Sequence, residues 1–171
     1  IRFWEMALEE LSDVVDILAE GDDYGTQDSQ LIDPDQFRIY YKSHVKRIIR
    51  AMKQKAPHSK IMFHSCGNVR PIIPDFIEIG LDILNPIQPR AKGMEPELLK
   101  KEYGNDLVLF GGIDLQQLLP YNNPESIKQQ VKSICKILGK GGGYIMAPAH
   151  NIQPDTPVEN VLALFEAVKE L

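Results

Sequence analysis

Cysteine is scarce: the 171 residues hold two, Cys66 and Cys135. Two thiols cannot build a disulfide framework, so a reducing, cytoplasmic setting is expected. Long apolar runs are missing too. No stretch approaches the ~18 residues of a membrane span, and the opening Ile1-Arg2-Phe3-Trp4-Glu5 is amphipathic rather than signal-like. No membrane partner is expected. Clustered positive charge is also lacking. The net charge is −5 with Asp and Glu spread along the chain. The basic stretch Lys42-Ser43-His44-Val45-Lys46-Arg47 reads as the solvated face of a helix. Phosphate binding needs a basic face, so a nucleic-acid partner is not expected either. The dinucleotide fingerprint GxGxxG follows no strand. Gly139, Gly141, Gly142 and Gly143 precede a strand instead and read as a turn.

What remains is an ordinary globular composition, 43% hydrophobic and 25% charged, long enough to bury a core. Residues 1–171 read as a single domain. Ile1, Trp4, Leu8 and Leu11 fall at helical spacing with no cap before them, so the chain is expected to be cut from a longer protein.

Strands and helices alternate. A first helix to about Leu11 precedes the apolar run Val14–Ala19, which reads as a buried strand. Asp33 caps a long helix with Pro34 in its first turn. Phe37, Tyr40, Tyr41, His44, Ile48 and Met52 form its stripe, and Pro57 ends it. Further strands are expected at Lys60–His64, Leu81–Asn85, Leu107–Gly112 and Gly143–Ala147. Helices fall between them, from about Val69 to Ile79, Glu95 to Tyr103 and Pro124 to Leu138. The last helix follows Pro157, with Val161, Leu164, Phe165 and Val168 on its apolar side. No hairpin signal separates any strand pair, so the sheet should be parallel with covered faces. An open doubly wound sheet and a (β/α)8 barrel both fit this order. Five units cannot close an eight-stranded ring, which leaves roughly three βα units outside the chain.

In α/β folds the C-terminal strand ends carry the site. Here they hold Asp22-Asp23, His64-Ser65-Cys66, Asn85, Asp114 and His150. Alternate residues of an extended segment point the same way, so His64 and Cys66 can face one point. Imidazole and thiolate together suit Zn²⁺. The bland alternative is a packed thiol beside a hydrogen-bonded imidazole. His150, just past the last strand, is the natural third ligand, and three ligands with one open position is the catalytic zinc pattern. Such a zinc could activate a thiol or a water. Glu20, Asp22 and Asp23 offer a polar pocket, acid–base groups or a solvated turn. Gly111 and Gly112 before Asp114 either let backbone approach a ligand or form a tight turn. Cys135, His44 and His58 read as packing or solvent-facing residues.

The segments come in a definite order: Gly21-Asp22-Asp23-Tyr24-Gly25-Thr26-Gln27, then His64-Ser65-Cys66-Gly67, then Gly111-Gly112-Ile113-Asp114. Last comes Gly143 through Ala147-Pro148-Ala149-His150-Asn151 to Pro157. Over nearly the whole chain this combination resembles the uroporphyrinogen decarboxylase superfamily. Its zinc-dependent, corrinoid-linked methyltransferase branch is the closest match. The resemblance implies the C-terminal five βα units of a TIM (β/α)8 barrel, parallel and incomplete, with its site at the C-terminal mouth. It implies transfer of a methyl group between a corrinoid (methylcobamide) on a partner protein and a small thiol acceptor. His64 and Cys66 match the HxC zinc motif, and His150 stands where the methyltransferases usually carry a third cysteine. The decarboxylases tend to have histidine there. The alternative is therefore uroporphyrinogen decarboxylase, a metal-free carboxy-lyase of porphyrin biosynthesis acting on a tetrapyrrole. The resemblance and the strand-end positions together nominate His64, Cys66 and His150 for zinc. They nominate His150, Asp22 and Asp114 for catalysis, and Asp22, Asp23, Gly112, Asp114 and Asn151 for substrate contact. The decarboxylases' essential arginine and aspartate lie in their N-terminal half, so this chain alone is expected to be inactive in either chemistry. Its outermost strands lack neighbours, so self-association is expected.

Overall fold

A computed structural model describes residues 1–171. Five parallel strands pair in sequence order: β1 (Ile17–Gly21), β2 (Lys60–His64), β3 (Ile83–Ile87), β4 (Val108–Ile113) and β5 (Tyr144–Pro148). The principal helices are α1 (Arg2–Leu11), α2 (Pro34–Gln36), α3 (Lys42–Lys55), α4 (Ile73–Glu78), α5 (Pro96–Tyr103), α6 (Leu118–Tyr121), α7 (Pro124–Leu138) and α8 (Val158–Lys169). None is long and apolar enough to cross a membrane.

Sequential pairing with crossovers after every strand is the barrel order, not the reversing order of a doubly wound sheet. These are five consecutive βα units of an incomplete TIM barrel. Curvature follows from a distance. β2 and β5 are three strand spacings apart, about 14 Å in a flat sheet, yet the rings of His64 and His150 at their ends have centroids 6.0 Å apart. The sheet curls, and the C-terminal strand ends lean together.

The two faces differ as the curl requires. Leu18, Ile61, Phe63, Leu84 and Leu109 are buried and belong to a core shared with the helices. Tyr24, Phe37, Phe63 and Phe76 pack edge-on, tilted or stacked against one another, with centroids 5.0 to 6.4 Å apart. A smaller core joins Ile113, Leu119, Ile127 and Val131 to Ala163, Leu164 and Ala167 of α8. On the inner face, Met62, Val108, Phe110 and Ile145 are only half-buried, and Ile17 is exposed.

Four local expectations are corrected. β1 begins three residues later than the Val14 start, because α1 needs a turn before the chain can join the sheet; Val14 sits in that turn, 73% exposed. β3 runs past Pro86 to Ile87 rather than stopping at Asn85, with a register shift between Leu84 and Ile87 absorbing the missing N–H. The long helix does open on the Asp33 carboxylate, which accepts from the Asp35 and Gln36 amides. A π turn over Phe37–Tyr41 then inserts an extra residue. The buried stripe of α3 is therefore Val45, Ile49 and Met52, while His44 is exposed and Ile48 only half-buried. In α8 the buried set is Asn160, Ala163, Leu164 and Ala167, and Phe165 is 56% exposed.

Candidate metal centre

His64 is the last residue of β2 and pairs in register with Gly21 on one side and Asn85 on the other. Gly21 is required there: a Cβ at that position would lie 2.9 Å from the His64 Cβ and carbonyl oxygen. His64, Ser65 and Cys66 alternate as an extended chain does. Ser65 is fully buried and its Oγ accepts from the Tyr24 amide at 3.0 Å. Cys66 turns back to the side of His64, with Sγ 3.4 Å from His64 Nε2. The Cys66 amide donates to Asp23 Oδ1 at 2.8 Å, and the Gly67 amide to Gln88 Oε1 at 2.8 Å. Gly67 sits at φ +79°, where its missing Cβ would meet the Thr26 carbonyl at 2.5 Å. Asn68 donates to that same carbonyl at 2.7 Å. The loop after β1 and the loop after β2 are thus laced together, and the lacing aims His64 and Cys66.

His150 arrives from the far end of the sheet. Ala149 anchors the segment by donating to the Ile113 carbonyl at 2.9 Å, and the imidazole that follows is exposed. One donor atom each from His64, Cys66 and His150 lies within 4.8 Å of the others. Around one zinc, with bonds of about 2.0–2.3 Å, such atoms sit about 3.3–3.7 Å apart. The His64–Cys66 pair already has that spacing, and the donor of the exposed His150 lies within 4.8 Å of both. A His₂Cys donor set leaves a fourth position open, so the residues fit zinc. The cleft here, about 360 Å³, is lined by His64, Asn85, His150 and Asn151 with an apolar wall of Phe110, Ala147, Pro148 and Ala149. Burial, and then the negative charge of Asp23, push the Cys66 thiol up to about 11. With no cation beside it, the sulfur keeps its proton at neutral pH.

The other nominated residues are dispersed. Asp23 lies behind the pair as the acceptor for the Cys66 amide. Asp22 lines a separate cavity of about 120 Å³ on the helix side, with Tyr24, Val45 and Phe63. There burial first, and then Asp22, raise the Tyr24 phenol pKa. Asp114 caps its own turn, accepting from the amides of Gln116 at 2.8 Å and Leu118 at 3.3 Å. Gly112, at φ +89°, makes room for α7: a Cβ would lie 2.9 Å from Leu138 Cδ1. Asp114 and Gly112 share a different cleft of about 460 Å³ with Arg90. The structure thus brings His64, His150 and Asn151 to one cleft, sets the Cys66 donor within 4.8 Å of the two imidazoles, and leaves Asp22, Gly112 and Asp114 outside the cleft. Sequence reasoning placed Asn85 at a strand end but gave it no role; its Oδ1 lies 2.7 Å from His64 Nδ1. Its signal was a polar residue ending a strand one place along the sheet from His64.

A family model described as Uroporphyrinogen decarboxylase (URO-D) matches residues 4–171. A methylcobamide:CoM methyltransferase, MtaA of Methanosarcina barkeri, is 28% identical over 155 residues, covering 91% of this chain and 42% of the relative. A uroporphyrinogen decarboxylase of Coxiella burnetii is 41% identical over 70 residues, covering 41% of this chain and 19% of the relative. Among solved structures, a methyltransferase from Methanosarcina mazei superposes with a TM-score of 0.70 at 28% identity, covering 94% of this chain and 43% of the other. The chain spans less than half the length of these relatives.

Proposed function

Because the chain belongs to the uroporphyrinogen decarboxylase family, we propose that it carries the thiol-activating centre of a zinc-dependent methyltransferase. The methyl group passes between a corrinoid on a partner protein and a small thiol acceptor. The observation that carries this reading is the meeting of His64, Cys66 and His150 donor atoms within 4.8 Å at the strand-end mouth. Likeness to methyltransferases along nine-tenths of the chain supports it. Zinc, when bound, supplies the positive charge that holds an acceptor sulfur as thiolate at neutral pH. The protein's own part is positional. Asp23 and Gln88 pin the backbone on either side of the Cys66 sulfur. His64 offers Nε2 from a strand end, and His150 offers its ring from the open side. Phe110, Ala147 and Pro148 form the apolar wall of the cleft that His64 and His150 line.

Elemental analysis of protein prepared without chelator tests this: about one zinc per chain is expected, and Cys66→Ala should lose it. No metal in the parent protein would refute the reading. A second reading has its own support. His150 occupies the position where the decarboxylases tend to carry histidine, and one stretch is 41% identical to a uroporphyrinogen decarboxylase. There His150 would hydrogen-bond a carboxylated tetrapyrrole without metal. Uroporphyrinogen consumption by the full-length protein that survives complete zinc removal would establish this second reading over the first.

A further inference from the structure

We infer that Asn85 is a positioning residue that fixes the tautomer of His64, so that Nε2 presents a lone pair to the site. Asn85 and His64 are register partners on adjacent parallel strands, and both line the inner-face cleft. The Asn85 Oδ1 to His64 Nδ1 separation is 2.7 Å. A carbonyl oxygen can only accept, so the proton of this bond belongs to Nδ1. A neutral imidazole carries one N–H, and Nε2 is therefore bare. That bare nitrogen lies 3.4 Å from Cys66 Sγ. The opposite tautomer would aim a hydrogen at the same point and exclude a cation.

Asn85 is itself held. Its main-chain carbonyl accepts from the Ser65 amide at 2.8 Å, so the strand that carries Asn85 also fixes the start of the His64-Ser65-Cys66 turn. An amide in this place stays uncharged and adds no negative charge next to the sulfur, unlike the Asp23 carboxylate behind it. The purpose of the arrangement rests on the zinc reading above; the tautomer itself does not.

The test separates the two. Long-range ¹H–¹⁵N correlation of histidine-labelled, metal-free chain reads the tautomer directly, with His64 assigned by loss of its signals in His64→Gln. The Nδ1–H pattern is expected for His64 in the parent and in Asn85→Asp, which keeps an acceptor at the same place. Asn85→Leu should shift it toward Nε2–H, the form free imidazole prefers in water. Zinc affinity, measured by competition with a chromophoric chelator, should fall roughly 10- to 100-fold in Asn85→Leu. In Asn85→Asp it should stay within a few-fold of the parent, which shows that the acceptor and not the bulk of the side chain matters. Circular dichroism confirms that each variant is folded. An Nε2–H pattern in the parent overturns the inference, and so does equal zinc affinity in the parent and Asn85→Leu. An Nδ1–H pattern in a parent that binds no zinc upholds the tautomer assignment and overturns the metal reading instead.

Discussion

The two ends of the sheet hold the same cleft by different means. At β1 and β2, His64 and Cys66 are set by backbone bonds from Asp23 and Gln88, by the buried Ser65 hydroxyl, and by the close passage of Gly67 under Thr26. Behind them lies the larger core, with its four packed aromatic rings. At β5, His150 hangs from a single amide bond at Ala149, and the core beneath has seven residues. One side is prearranged and the other is adjustable. In the proposed zinc site, two ligands are held by laced loops and the third by one exposed ring.

The sharpest way to break the comparison is at the lacing. Gly67→Ala puts a methyl group 2.5 Å from the Thr26 carbonyl and demands φ +79° of a residue with a Cβ. A loss on the order of 3–4 kcal/mol is expected from clash and strain together. Thermal melting should show it as the largest destabilisation among the variants considered. A matched change on the adjustable side, His150→Ala, should leave the melting temperature of the metal-free chain unchanged, because the ring is exposed.

Asp75 tests the body that supports the prearranged side. It is buried on α4 and receives Arg38 Nε at 3.1 Å and Lys42 Nζ at 2.8 Å, tying the π turn and α3 to α4. Burial alone would raise its pKa, but the hydrogen bonds from Arg38 and Lys42 outweigh it and hold the carboxyl below the usual carboxylate range. Asp75→Asn should cost about 2 kcal/mol at pH 7, the scale of a hydrogen bond to a charged group. A depressed folded-state pKa gives stability that is complete above the unfolded value, near ~3.9, and is lost as pH falls through the folded one. The gap between parent and Asp75→Asn should therefore hold from neutral pH down to about 4 and close below it. Urea titrations at a series of pH values measure this.

Metal affinity should follow the same asymmetry. Cys66→Ala removes a prearranged donor, and retention of zinc is expected to vanish. His150→Ala removes the exposed one, and a weaker site held by His64 and Cys66 should persist, at a cost of roughly tenfold or more in affinity. Equal losses in the two variants would show that the centre is not divided into a laced and an exposed half.

How much of this could be read beforehand depends on how local each signal is. β2, α5 and α7 lie within a residue or two of their expected bounds because the signals are local: an apolar run for β2, Pro96 and Gly104 around α5, and the Asn123 cap before Pro124 for α7. The β1 start and the α3 stripe were misplaced for reasons that need three dimensions. A helix must turn before it can join a sheet, and one π turn rotates every later residue on its helix. The site shows the same division. His64 and Cys66 are two residues apart and share a face by strand geometry alone. The approach of His150, 84 positions further along than Cys66, depends on the curl of the whole sheet. Asp22, Gly112 and Asp114 lie at the ends of β1 and β4, at the same mouth but outside the cleft that His64 and His150 line. A strand end fixes a residue's height at the mouth. Turn capping, as at Asp114, decides where the carboxylate points.

The smallest expected effects concern the surfaces that neither core covers. Ile17 on the inner face and Phe165 and Leu162 on the outside of α8 are exposed apolar groups. The outer edges of β1 and β5 have unpaired backbone. Open edges beside bare apolar surface favour association between copies. Light scattering should give a mass that rises with protein concentration, and a strictly monomeric mass would contradict this. Leu162→Ser and Phe165→Ser should change folding stability by no more than about 0.5 kcal/mol, because these side chains are already in water. Ile17→Lys should lower the associated fraction more than either of them, since it places charge on the strand edge as well as on the bare face. If the α8 variants weaken association more than Ile17→Lys does, the contact between copies is made by helices, and the sheet edges of the two regions are equivalent bystanders.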